Sequence, residues 1–231
     1  MTPIDDTAPR AALFDLDGTL INSEPRSMQV WSRLLDMHNV PHDESTLHRF
    51  MGRRGADVLN EDPHLFPGVT WDVLLAELQM IQAAPDLPDS QELPESVRFL
   101  HRLHADGVPF GLVTSAGRGW ARTALDRLGV LPMFRGLVTA TDVTEGKPDP
   151  EGYLSGARLL GEDPARIVVF EDTPAGIEAG RRAGMRVVGI TTTHDPAVLD
   201  KADLVVDRLT EVDWPRIARP ERPGQRPQDE Q

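Results

Sequence analysis

Asp15 and Asp17 stand two residues apart at the end of the apolar run Ala11, Ala12, Leu13 and Phe14, and Gly18 follows at once. Two carboxylates that close suit two kinds of chemistry: they can share a divalent cation, or divide the work of a nucleophile and a proton donor. The same fragment also reads as a strand ending in an Asp-Gly turn, which is common. Thr114 and Ser115 close the run LVTS. Their hydroxyls could hold phosphate oxygens without adding charge, or simply cap the next helix. Lys147, in EGKPDP, is one of only two lysines, with Lys201, among 24 basic residues. A compact ammonium fits between a carboxylate and a phosphoryl group where a broad guanidinium does not. Glu171 and Asp172 end the run VVF. Two adjacent acids there are unfavourable without a cation or donors, unless Asp172 serves only as a helix N-cap.

These groups need elements to position them. Ala11 to Phe14 shows no polar alternation, as expected of a strand buried on both faces of a parallel sheet. Further strands are predicted over 110–114, 137–140, 167–170, 187–190 and 204–206, with helices over 95–105, 118–128, 151–160 and 175–183. That alternation predicts an α/β fold, in which ligands are handled at the carboxyl ends of the strands. Asp15, Thr114, Lys147 and Asp172 each end or follow a different strand, so parallel topology would bring all four to one edge. Gly18 breaks the first strand, which puts Asp15 and Asp17 on a sharp loop.

Residues 21–85 read as almost entirely helical, with no strands. Ser23 is the expected N-cap, Pro25 suits a first turn, and Met28, Trp31, Leu34 and Leu35 recur at helical spacing. Thr70 opens a second periodic segment through Val73, Leu74, Leu75, Leu78 and Ile81. The expected organisation is a core over 10–21 and 93–213, an inserted all-helical cap over 22–92, and disordered tails at 1–9 and 214–231.

The 231 residues are 39% hydrophobic and 26% charged, ordinary for a globular chain with ample core. With 24 basic and 37 acidic residues the net charge is −13, which argues against nucleic acid or an anionic membrane as a partner. There is no cysteine, hence no disulfide or thiolate chemistry, in keeping with a cytoplasmic location. The acidic start MTPIDDTAPR has no signal-peptide pattern, and no apolar run approaches the roughly 20 residues of a membrane span.

DLDGTL, continued as INSEP, resembles the signature of the haloacid-dehalogenase-like superfamily of aspartate-nucleophile phosphotransferases. GKPDP resembles its lysine motif, VVFEDTPAGIEAG its acidic motif, and Thr114 matches its phosphate-binding Ser or Thr. The likeness covers most of residues 11–206. It implies a Rossmann-like core with a helical cap, and a Mg2+-dependent phosphatase working through an aspartyl phosphate. Asp15 would be the nucleophile and Asp17 the acid and base, with Thr114, Ser115 and Lys147 on the phosphoryl group. Mg2+ would be held by Asp15, the carbonyl of Asp17 and Asp172, with Glu171 acting through water. The substrate class implied is a small sugar or polyol phosphomonoester, because the latter half resembles sugar-phosphate and glycerol-phosphate phosphatases. In the cap, Glu24 and Arg53, beside Arg54, are candidates for reading hydroxyls or a second anion; their plain alternative is surface charge. The expected state is a monomer or weak homodimer acting on a small phosphorylated metabolite.

The nearest rival is a β-phosphoglucomutase, which shares the core motifs but returns the phosphoryl group to a second hydroxyl. That branch carries a histidine in the first cap helix, where this chain reads Arg26, Ser27, Met28. A receiver-type signalling module would place its acidic pair first along the chain, whereas Glu171 and Asp172 come last. A silent binding protein would show degraded motif positions, and none is degraded. Asp17 disfavours dehalogenation, while Asn22, where relatives often carry Asp, is a departure outside the chemical set. His101 and His104 lack a third metal ligand and read as a solvated helix flank, His194 follows a strand without evident chemistry, and Trp31 and Trp120 read as packing residues.

Overall fold

Apolar runs without alternation become the middle strands of one parallel sheet, as a sheet covered on both faces requires. The computed structural model describes residues 8–50, 55–61 and 64–216. In chain order the strands are β1 (Ala11–Phe14), β2 (Ile21–Asn22), β3 (Gln91–Glu92), β4 (Phe110–Val113), β5 (Leu137–Val138), β6 (Ile167–Glu171), β7 (Arg186–Ile190) and β8 (Leu204–Val206). The helices are α1 (Glu24–Met37), α2 (Glu44–His48), α3 (Gly55–Glu61), α4 (Trp71–Gln82), α5 (Pro94–Ala105), α6 (Arg118–Arg127), α7 (Glu151–Leu160) and α8 (Pro174–Arg182).

Six strands form the main sheet in the order β5-β4-β1-β6-β7-β8, all neighbours parallel. β1 lies inside it, with Phe14 level with Leu112 of β4 and Phe170 of β6. Alternate residues of β1 face opposite ways. Ala12 and Phe14 join a cluster with Phe99 and Leu103 of α5 and Leu125 of α6. Ala11 and Leu13 join another with Tyr153 of α7 and Ile177 of α8. Phe14 stacks on Phe170 at 4.7 Å and meets Phe99 and Phe110 edge-on at 6.1 and 5.8 Å. Each buried ring contributes about 1.5–3 kcal/mol by leaving water. The Rossmann-like α/β architecture is thus the expected one.

α1 and α4 bury Trp31, Leu34, Leu35, Leu74, Leu78 and Ile81 in a third cluster of their own. Val73 and Leu75, placed on the same periodic stripe by sequence, are instead exposed. The expectation of no strands here needs correction: Ile21–Asn22 pairs antiparallel with Gln91–Glu92 exactly where the chain leaves and rejoins the sheet layer. Two residues per strand are too few to show any period. Trp214, assigned by composition to the tail, packs against the core cluster; the remaining tail residues, apart from 8–9 and 215–216, lie outside the described residues. No helix among the described residues is long and apolar enough to cross a membrane.

Candidate active site

Asp15 follows β1 directly, and its amide donates to Phe170 O at 3.0 Å, so strand pairing continues to the nucleophile candidate itself. Its carboxylate is buried. The loop then turns at Gly18 with φ +86°, where a Cβ would lie 1.9 Å from Asp172 Oδ2. Only glycine permits that approach. Asp15 and Asp17 therefore sit on the sharp loop read from the sequence.

Lys147 is buried and donates to Asp15 Oδ1 at 2.5 Å and to Glu171 Oε1. Glu171 uses nearly all of its accepting capacity inside the protein, the ammonium being one of five donors. Its Oε1 also accepts the Tyr153 hydroxyl at 2.9 Å. Its Oε2 accepts the amides of Asp172 and Thr173 at 3.0 and 3.1 Å and the Thr173 hydroxyl at 3.0 Å. Gly176, in the first turn of α8, makes room: a Cβ there would lie 1.8 Å from Glu171 Oε1. Thr173, rather than Asp172, caps α8, accepting from Gly176 N at 3.1 Å. Asp172 is left for the site, held by the Thr193 hydroxyl and, at 3.4 Å, by Thr19 Oγ1.

Asp15, Glu171 and Asp172 each present an oxygen within 4.8 Å of the others. Burial pushes the Asp15 carboxyl well above the usual carboxylate range, Lys147 opposing and Glu171 and Asp172 reinforcing the rise. Burial likewise raises Asp172 to about 8, with the Glu171 charge adding to it. Burial and the Glu171 charge raise the Tyr153 phenol, which stays a neutral donor. The ammonium of Lys147 is raised further by Asp15 and Glu171 despite burial, so it remains charged. One ammonium faces three buried carboxyls, whose ionisation burial and mutual repulsion disfavour without added positive charge; a set of oxygen donors alone fits a hard divalent cation such as Mg2+.

Thr114 follows β4 and is buried; its amide donates to Val138 O at 3.0 Å and its Oγ1 accepts Ala116 N at 3.1 Å. Thr114, Ser115, Lys147 and Tyr153 line one cleft. Asp17 is half-buried and held differently from Asp15. Its Oδ1 accepts Ser23 Oγ at 2.6 Å and Trp120 Nε1 at 3.1 Å. Burial raises its carboxyl, with both donors moderating the rise. Ser23 thus departs from the expected N-cap role: its side chain makes no cap bond and turns to Asp17 instead.

Glu24 opens α1, with its carboxylate 3.7 Å from the His48 ring. His194 is half-buried and bonds Thr193 Oγ1 at 2.9 Å; burial lowers its pKa while the Glu24 charge pulls it back up. Glu24 is therefore brought near the loop after β7. Arg53 and Arg54 lie outside the described residues. His101 and His104 are exposed on α5 and Trp31 stacks on Phe50 at 4.5 Å, both as read from sequence.

Sequence reasoning missed Tyr153, Thr193 and the indole N–H of Trp120. Each acts through a partner at least 18 positions away, and no local spacing announces such a bond. The long acidic motif does extend to Gly176, whose lack of a side chain now has a physical reason.

A buried carboxyl, an ammonium, an acidic pair and a hydroxyl gathered at one carboxyl edge of a parallel sheet are groups suited to phosphoryl transfer. A family model described as haloacid dehalogenase-like hydrolase matches residues 9–184. Validoxylamine A 7'-phosphate phosphatase from Streptomyces hygroscopicus subsp. limoneus is 46% identical over 208 residues, 90% of this chain and 98% of that protein. Hexitol phosphatase A from Escherichia coli is 34% identical over 202 residues, 87% of this chain and 91% of that protein. In fold the chain is similar to β-phosphoglucomutase from Clostridium difficile, with a TM-score of 0.76 at 23% identity, covering 89% of this chain and 94% of that one. The chain belongs to the haloacid dehalogenase-like hydrolase family, and it is an enzyme of the phosphatase class.

Proposed function

We propose that this protein is a Mg2+-dependent phosphatase that hydrolyses a small sugar or polyol phosphomonoester through an acyl phosphate formed on Asp15. The observation that carries this reading is the pairing of two unlike carboxyls: Asp15, buried with Lys147 at 2.5 Å, and Asp17, held apart by Ser23 and Trp120. Separate environments of this kind let one acid attack while the other moves protons.

Asp15 attacks phosphorus, the P–O bond to the substrate's carbon-bound oxygen breaks, and the proton on Asp17 passes to that oxygen. Water then attacks the aspartyl phosphate, Asp17 takes the water's proton, and the bond from phosphorus to Asp15 breaks. Inorganic phosphate leaves, and Asp17 is again protonated for the next cycle. An alkoxide is a poor leaving group, which is why a proton donor is needed at all. Thr114, Ser115 and Lys147 hold the phosphoryl oxygens, and Lys147 is itself fixed by Glu171. Asp15, the Asp17 carbonyl and Asp172 would hold Mg2+, which when bound supplies positive charge that keeps Asp15 ionised and offsets phosphate charge. Glu171, already engaged with five donors, would reach the ion only through water.

The helical block over 22–92 acts as the cap, closing over the sheet edge and excluding bulk water. Glu24, 3.7 Å from the His48 ring, reads substrate hydroxyls, and Arg53 is a further candidate. The named relatives, a hexitol phosphatase among them, support a polyhydroxylated substrate. Arg26, Ser27 and Met28 where the mutase branch has histidine support hydrolysis over return of the phosphoryl group. A cytoplasmic monomer or weak homodimer is the working form.

Phosphate release should be measured on sugar, polyol and nucleotide monophosphates, with Mg2+ and with EDTA. The expected result is metal-dependent release confined to the sugar and polyol esters. Conversion of β-glucose 1-phosphate to glucose 6-phosphate without net release would establish the mutase instead.

A further inference from the structure

Trp120 lies in the first turn of α6, outside the recognised motifs. Its ring packs partly against the sheet core. Its Nε1 donates to Asp17 Oδ1 at 3.1 Å, the same oxygen that accepts Ser23 Oγ at 2.6 Å. An indole N–H can donate and never accept. The oxygen facing it must therefore be an acceptor, so in the protonated acid the transferable hydrogen is confined to Oδ2. A hydroxyl such as Ser23 could not enforce this alone, because it can rotate and accept.

The indole is held from the other side. Arg26 of α1 places its guanidinium carbon 5.4 Å from the ring centre. That guanidinium is anchored in the helical block, donating to Gln82 O at 2.7 Å and Pro88 O at 3.1 Å. A cation over the face of an indole is favourable and fixes its plane. A continuous path thus runs from the helical block through Arg26 and Trp120 to the acid of the reaction.

The geometry points to Trp120 as a positioning residue for Asp17: it presents the protonated Oδ2 to the leaving oxygen, with Arg26 as the helical block's grip on its ring. This rests on the reading of Asp17 as the general acid. It implies that in the first displacement, the one kcat/KM reports, Trp120 matters only when the leaving group needs a proton.

The test compares kcat/KM for a hexitol phosphate, whose leaving alkoxide needs a proton, with p-nitrophenyl phosphate, whose phenolate does not. Four proteins are used: the native chain, Asp17→Asn, Trp120→Phe and Arg26→Met. Trp120→Phe keeps a ring and loses the donor, so it should lose about ten- to fifty-fold on the hexitol ester and less than about threefold on the aryl ester. The Mg2+ concentration for half-maximal activity should not move. Arg26→Met should show the same selectivity at smaller size, and it serves if Trp120→Phe folds poorly. Equal losses on both esters in Trp120→Phe and Arg26→Met, with a selective loss in Asp17→Asn, overturn the proposal alone. Equal losses in Asp17→Asn overturn the acid assignment and the proposal with it.

Discussion

The sheet edge and the helical block are built on opposite principles. At the edge, Asp15, Thr114, Lys147, Glu171 and Asp172 are all buried. Most continue a strand, and their polar atoms are tied by bonds that cross the whole chain, such as Lys147 to Asp15 and Tyr153 to Glu171. In the block, the polar groups pair nearer to solvent: Glu24 and His48 stand 3.7 Å apart, and Arg33 and Asp86 form an exposed two-bond ion pair. Its apolar core is separate from the two that clamp the sheet. Groups that stabilise a transition state gain most from being fixed before substrate arrives. Groups that select substrate can ride on a separately packed element, which here touches the edge through Ser23, Arg26 and Trp120 at Asp17.

That contrast sets the order of expected effects. Asp15→Ala should lower kcat by roughly 10^4-fold or more, because the proposed covalent intermediate forms on its carboxylate. Steady-state phosphate release measures it, and substantial residual turnover would place the nucleophile elsewhere. Lys147→Arg should cost about 10^2- to 10^3-fold in kcat/KM although charge is kept, since the space between Asp15 and Glu171 holds an ammonium and not a planar fork. A loss under tenfold would mean that only charge counts there.

Gly176→Ala would push a methyl into the Glu171 carboxylate. It should cost about 2–4 kcal/mol of stability in urea unfolding, as overpacking and the broken buried network combine. pH tests the same cluster. Asp172 sits at about 8 and Asp15 well above the usual range, so between about pH 4 and pH 8 the metal-free fold holds more protons than the unfolded chain. Stability in EDTA should therefore fall as pH rises through that window. Added Mg2+ should raise Tm more at pH 8 than at pH 5, because protons and metal compete for the same oxygens. A Mg2+ effect independent of pH would disconnect the ion from these carboxyls. The smallest effect belongs to the block: Glu24→Gln should raise KM for a polyol phosphate several-fold, roughly 1 kcal/mol, with kcat nearly unchanged. A large fall in kcat would show that Glu24 itself takes part in the chemistry.

How legible these features are in the sequence follows the same division. β1, β4, β6 and β7 are readable because burial on both faces leaves unbroken apolar runs, and the groups at their ends inherit their places from parallel topology. The pair β2 and β3 is not readable, since Ile21 pairs with Glu92 and Asn22 with Gln91, far along the chain, and neither strand is long enough to alternate. Ser23 illustrates a second limit. Its position before Pro25 suits an N-cap, yet the loop brings the Asp17 carboxyl within 2.6 Å and takes its hydroxyl, a contact that no helix signal announces. Trp120 shows a third: hydrophobic spacing explains its ring and says nothing of its N–H.

The central claim is that phosphate passes through Asp15 in two displacements. The most direct measurement is the stereochemical course at phosphorus, using a substrate ester made chiral with oxygen isotopes and sulfur and hydrolysed in isotopically labelled water. Each in-line displacement inverts the centre, so two in succession give net retention. Retention is the result this account expects; inversion would mean that water attacks the ester directly, and would contradict it.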